Sequence, residues 1–145
     1  MTIRIALAAA VVSLYACGGG GSPAPKNWRP IAGQRNAWTN PSGSQQYRYE
    51  TATFGGTLSD LASQVTIDAL MKNRGAKLQG SNKPFPACPG AAGVATFRLG
   101  GEQLAEGFAV RDNQAVRTYY LRPVGADADP DVLDAMQGVL CKPPA

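Results

Sequence analysis

Two hydrophobic periods run through this chain, separated by stretches rich in glycine and proline. Tyr47 to Phe54 (YRYETATF) is aromatic and β-prone, and Gly55-Gly56 ends it, so it reads as a strand. From Thr57 to Arg74 the period becomes helical, with Leu58, Leu61, Ala62, Val65, Ala69 and Leu70 on one face. Thr57 is placed to cap this helix, and Asp60 three residues later forms a capping-box pair with it. Lys72 and Arg74 suit the negative end of the helix dipole, and Gly75 is the residue expected just past it. Ile67 and Met71 fall off the main face. Either they pack under the N-terminal segment, or they form a small patch for a partner.

Ala76 to Gln79 is expected as a short strand, and Ser81 to Gly90 (SNKPFPACPG) as a loop. Three strands follow: Val94 to Leu99, Leu104 to Val110 and Ala115 to Arg122. Gly100-Gly101 turns the chain between the first two, and Arg111-Asp112-Asn113-Gln114 makes a hairpin of the last two. The final helix starts at Asp129 with Pro130 at its first position, and Val132, Leu133, Met136, Val139 and Leu140 face the sheet. A meander with an apolar face needs covering, and two amphipathic helices are available. The expectation is an α+β fold, an antiparallel sheet covered by two helices. The order of elements from Tyr47 to Leu140 resembles the PsbP-like fold, seen in the photosystem II extrinsic protein and in many bacterial lipoproteins. The resemblance rests on that order, on the helix ending at Asn73-Arg74-Gly75, and on the strand Ala115-Val116-Arg117-Thr118 leading to a last helix. It implies a non-enzymatic accessory or binding module. No functional residue of the photosystem protein carries over.

The first residues change the picture from fold to address. Arg4 precedes an apolar run from Ile5 to Ala16, too short to span a bilayer and shaped like a secretory signal. Leu14-Tyr15-Ala16-Cys17 resembles the bacterial lipobox, with Tyr15 where a small residue is usual. That resemblance implies a signal peptide over 1–16 and an acylated Cys17. The alternative is an ordinary cut that frees a secreted, soluble protein. GGGGSPAPKN after the cysteine is a flexible, then proline-stiffened tether over 17–27, leaving 28–145 as one domain. Gly18, in place of the aspartate that signals inner-membrane retention, implies an outer-membrane anchor facing the periplasm.

Three cysteines in an exported chain leave one over. With Cys17 taking lipid, Cys88 and Cys141 remain to pair, and a bridge closing so long a loop is worth about 4 kcal/mol. A redox dithiol and unpaired thiols are the other readings; there is no C-x-x-C to favour the former.

Composition excludes several classes. The chain is 44% hydrophobic and 17% charged, which is globular rather than disordered. Its formal charge of +4 is scattered, with no basic stripe and interleaved aromatics, so nucleic acid is not an expected partner. A membrane, through the lipid, and a protein or anionic envelope component are. There is no histidine, which removes the Ser-His-Asp, Cys-His and His-metal chemistries together. No phosphate-binding glycine motif and no S-x-x-K occurs. Asp127-Ala-Asp129-Pro-Asp131 begins like a calcium loop, but Val132 and Gly138 stand where glycine and glutamate are needed. No cofactor and no metal is implied. Glu102 and Glu106 lie on one side of a strand as surface carboxylates, which is no acid/base pair without a pocket. Should there be an enzyme, it would use carboxylates or a Cys88/Cys141 dithiol.

Trp28 and Trp38 sit among turn formers and are expected to anchor the N-terminal segment, with ligand stacking as the functional alternative. Arg117 points away from Val116 and with Tyr119, so an open sheet face would present arginine beside tyrosine. A ligand site is therefore sought between the tryptophan segment and the sheet, with Trp28, Trp38, Arg117 and Tyr119 as its candidates.

Overall fold

The computed structural model describes residues 23–80 and 82–141. The signal-like run, Leu14 to Cys17 and the glycine part of the tether lie outside the described residues. In chain order the elements are β1 (Arg29–Pro30), β2 (Ala37–Thr39), β3 (Gln46–Thr53), α1 (Leu58–Lys72), β4 (Lys77–Leu78), β5 (Lys83–Pro84), β6 (Ala92–Leu99), β7 (Glu102–Arg111), β8 (Gln114–Pro123) and α2 (Pro130–Leu140). The strands form one antiparallel sheet in the order β1-β2-β3-β8-β7-β6-β4, and β5 also pairs with β6. The fold is thus α+β, with an eight-stranded antiparallel sheet and two helices among the described residues. No helix among them is long and apolar enough to cross a membrane.

Turn chemistry sets the register of the meander. Asp112 and Asn113 both take left-handed φ, 50° and 59°, the type I′ geometry that matches strand twist. The turn holds Arg111 opposite Gln114 and thereby fixes every later pair of β7 and β8. Gly100, at φ 61°, lets the chain turn between β6 and β7.

The alternation of side chains then divides the core in two. Ala115, Tyr119 and Leu121 of β8 pack with Leu61, Val65 and Ala69 of α1. Val116 and Tyr120, one residue out of phase, pack with Val132, Ala135, Met136, Val139 and Leu140 of α2. The helices therefore lie on opposite faces of the sheet. The expected open face does not exist over β8, because α1 covers the side that carries Arg117 and Tyr119.

Other expectations are corrected in detail. Leu70 and Leu133 were assigned to buried faces, yet they are 42% and 44% exposed. Leu70 lies about 100° around α1 from Ala69, the nearest residue of its buried stripe. Ile67 and Met71 are not covered by the N-terminal segment and stand 55% and 78% exposed. The Ser81–Gly90 loop contributes β5, and the segment before Tyr47 contributes β1 and β2. Helix α1 has the full Thr57–Asp60 capping box. It ends at Asn73, whose side-chain amide donates to the Ala69 carbonyl at 2.9 Å, so left-handed Gly75 follows one position later than expected.

Both ends of α2 are held from elsewhere. At its start the Asp129 carboxylate accepts from the Asp131 N–H and from Trp28 Nε1, and Tyr120 Oη accepts from the Asp129 N–H. At its end there is no basic residue of its own. Arg111 of β7 supplies the cation, donating to the Leu140 carbonyl at 2.8 Å and to that of Val139 at 2.6 Å. Cys141, the C-cap, is joined to Cys88 with a Cα–Cα distance of 5.7 Å.

Helix α2 approaches β7 closely over Gly107. A Cβ built there would stand 2.5 Å from Leu140 Cδ1 and from Thr118 Oγ1. Gly107→Ala is expected to destabilise the fold by about 1–3 kcal/mol through overpacking. The measurement is urea unfolding, read as a lower midpoint at constant m. A wild-type midpoint would show that α2 can move off the strand without cost.

Candidate functional site

The N-terminal segment, β3, β8 and α1 meet around a cavity of about 230 Å³. Its apolar wall is Leu99, Leu104 and Leu121 of the sheet, with Ile31 and Ala37 from the N-terminal segment. Its charged lining is Arg48 of β3, Asp68 and Lys72 of α1, Glu106 of β7 and Arg117 of β8. Strand alternation puts Arg117, Tyr119 and Leu121 on this side together, and register places Glu50 opposite Arg117 and Arg48 opposite Tyr119.

Arg117 is the centre of the polar group. One guanidinium nitrogen donates to Asp68 Oδ2 at 2.9 Å, and the other lies 3.5 Å from Glu106 Oε2. A single side chain from the middle of the sheet thus reaches both the covering helix and the neighbouring strand. Its Nε is buried and has no hydrogen-bond partner among the described residues. Burial lowers the guanidinium pKa, but the hydrogen bond to Asp68, with the charges of Tyr119, Glu106 and Asp68, leaves it raised.

Glu106 was expected on the surface and is 3% exposed. Burial pushes its carboxyl from the ordinary 4.5 to about 7, against the opposing pull of Arg117, Arg48 and Lys72. Three cations therefore converge on one buried carboxylate that holds its proton unusually well. Tyr119 closes the cluster. Its hydroxyl donates to Glu50 Oε1 at 2.5 Å, and its ring lies 3.8 Å beneath the Arg48 guanidinium and 5.5 Å from that of Arg117. Burial, with the hydrogen bond to Glu50, raises the phenol pKa. Lys72 has no carboxylate within ion-pair distance among the described residues.

The structure divides the four sequence-derived ligand candidates between two faces. Arg117 and Tyr119 line the cavity. Trp28 and Trp38 do not. Trp28 packs edge-on to Tyr120 with centroids 6.3 Å apart and bonds to Asp129, while Trp38 stacks on Tyr47 and Tyr49 at 6.0 Å. The cause is parity: Ala37 is opposite Arg48 on the cavity side, so Trp38, opposite Tyr47, must point to the α2 side. Both tryptophans are thus anchors of the N-terminal segment. Sequence reasoning missed Glu106 as a buried residue, and with it Asp68, Lys72 and Arg48. Asp68 is the one acidic residue in α1 beyond its first turn, and it sits one residue before the buried Ala69; that was the available signal.

Cys88 and Cys141, disulfide-bonded, lie beside the α2 core cluster and away from the cavity. Cys17 lies outside the described residues. Among the described residues no group of three histidine, cysteine, aspartate or glutamate side chains is placed to hold a metal ion.

No protein-family model matches the chain, and no curated protein does. Among solved structures, the solution structure of cyanobacterial PsbP (CyanoP) from Synechocystis sp. PCC 6803 is similar at a TM-score of 0.47. The two share 11% identity over 70% of this chain and 72% of that one. This likeness is weak and carries nothing about activity, ligand or partner.

Glu106 gives the stability a pH dependence with a definite sign. Its folded pKa lies above its unfolded one, so the folded state holds the extra proton between 4.5 and about 7. The stabilisation is complete below that window and is lost as pH rises through it. Wild type should lose about 3 kcal/mol relative to Glu106→Gln across the window. Denaturant midpoints of the two proteins, measured at matched pH values, would test this, and parallel curves would refute it.

Proposed function

We propose that this protein is an exported lipoprotein of the cell envelope, anchored through Cys17 and serving as a non-enzymatic binding module. The observation that carries the proposal is the pairing of Cys88 with Cys141. It leaves Cys17 as the one remaining cysteine, in the sequence Leu14-Tyr15-Ala16-Cys17, directly after an apolar run and before a tether. A disulfide also suits an oxidising compartment. The outer membrane, periplasmic side, is the address that Gly18 favours. The order of elements supports a PsbP-like module in particular. The binding part of the reading is supported by the cavity, which combines an apolar wall with a few convergent charged groups.

A second reading, a small enzyme working through carboxylates, has one observation in its favour. Glu106 and Asp68 line the same cavity, and the Glu106 carboxyl is poised near neutral pH, where general acid–base catalysis is most effective. Against it, both carboxylates engage the same guanidinium, so neither is presented freely to a substrate. The dithiol version has less support, since Cys88 and Cys141 are part of the packing around α2.

Intact mass of the protein from membrane and soluble fractions, with and without reductant, tests the main reading. The expected species is membrane-bound, begins at Cys17, carries a diacylglycerol-plus-acyl increment and gains two hydrogens on reduction. A soluble chain without lipid would overturn the anchor.

A further inference from the structure

We infer that the cavity between the N-terminal segment, α1 and the sheet takes a small amphipathic carboxylate, its head group at Lys72 and its apolar body against Leu99, Leu104 and Leu121. The inference deepens the binding reading above and rests on it.

Charge decides the class of guest. Three cations line the cavity against two carboxylates. The two carboxylates are already committed, because Asp68 and Glu106 both meet Arg117. Of the cations, Arg48 is shared with Glu50 at 3.6 Å and stacks on Tyr119. That leaves the exposed Lys72 without an ion-pair partner among the described residues. The group left unpaired on the cavity wall is therefore a cation and a hydrogen-bond donor. A cationic guest would meet it with like charge; a carboxylate pairs with it. Glu106 reinforces the preference, because near neutral pH it is partly protonated and repels an anion less than a full charge would.

Size and the apolar wall decide the rest. The cavity has room for roughly eight groups of about 30 Å³, the share of one water or of a methylene of similar bulk. Leu99, Leu104 and Leu121 form a continuous wall because β6, β7 and β8 are neighbours: Leu104 is the register partner of Leu121. Ala37 and Ala69 are the small residues that leave the space unfilled. A fully polar anion such as inorganic phosphate would leave that wall uncovered.

The test uses three eight-carbon probes that differ in head group: octanoate, octylammonium and octanol. The full chain is prepared with Cys17→Ser so that no acyl group competes. Carbon-labelled leucine methyls are followed by NMR during titration. Octanoate is expected to shift the methyls of Leu99, Leu104 and Leu121 in a saturable manner, with octylammonium and octanol at least tenfold weaker. Lys72→Glu, at an exposed position, should weaken octanoate at least tenfold while leaving the rest of the methyl spectrum in place. Tighter binding of octylammonium or octanol at the same methyls would overturn the anionic class and leave a binding cavity standing. Equal octanoate affinity in Lys72→Glu would overturn the placement of the head group. Shifts at none of these methyls with any probe would overturn this inference together with the cavity's part in the binding reading.

Discussion

Strand β8 lies between β3 and β7 and has a helix over each face, so a polar group along its middle must find a partner inside the protein. The four consecutive residues Arg117, Thr118, Tyr119 and Tyr120 obey this constraint in four ways. Arg117 divides its charge between α1 and β7. Thr118 accepts from the Gly107 N–H. Tyr119 donates to Glu50, and Tyr120 donates to Gln45 while accepting from the backbone that opens α2. Each neighbour of the strand is positioned through one of these bonds. The placement of both helices and of the N-terminal segment follows from how β8 disposes of its polar atoms.

The cavity is a by-product of the same constraint. A helix seated on leucine and phenylalanine would close against the sheet along its full length. Helix α1 does so through Leu61 and Val65, but beside Arg117 it presents Asp68 and Ala69. An ion pair holds charged groups at fixed separation and cannot interdigitate as alkyl side chains do. Space remains where the polar contact replaces packing. The buried Glu106 is tolerated there because Arg117 meets it and because it can keep its proton.

Much of the architecture was legible because it depends on local rules. The capping box, the Asp112-Asn113 turn and the proline at the start of α2 each follow from near neighbours, and each stands in the structure. The partner of Arg117 was not legible, since Asp68 lies 49 residues away and only the wrap of α1 brings it near. Strand parity was available for Arg117 and Tyr119. It was not available for Trp38, because β2 is three residues long and too irregular in sequence to show a period. Glu106 read as a surface residue for a related reason. Its place in the register is fixed by the turn, but which side of the sheet α1 occupies is a matter of tertiary packing, which no strand pattern encodes.

The bridge between Cys88 and Cys141 also determines how the molecule would carry mechanical load. The two cysteines are 53 positions apart, and β6, β7, β8 and α2 all lie within the ring they close. A pull applied along the tether at one end and the residues after Cys141 at the other passes through the sulfur–sulfur bond. It never enters the meander as tension along the chain. Roughly 180 Å of extended polypeptide is withheld from stretching in this way. Force would instead be borne by the β3–β8 pairing and by the tryptophan-anchored entry strands, which makes that edge of the sheet the mechanical fuse of the protein.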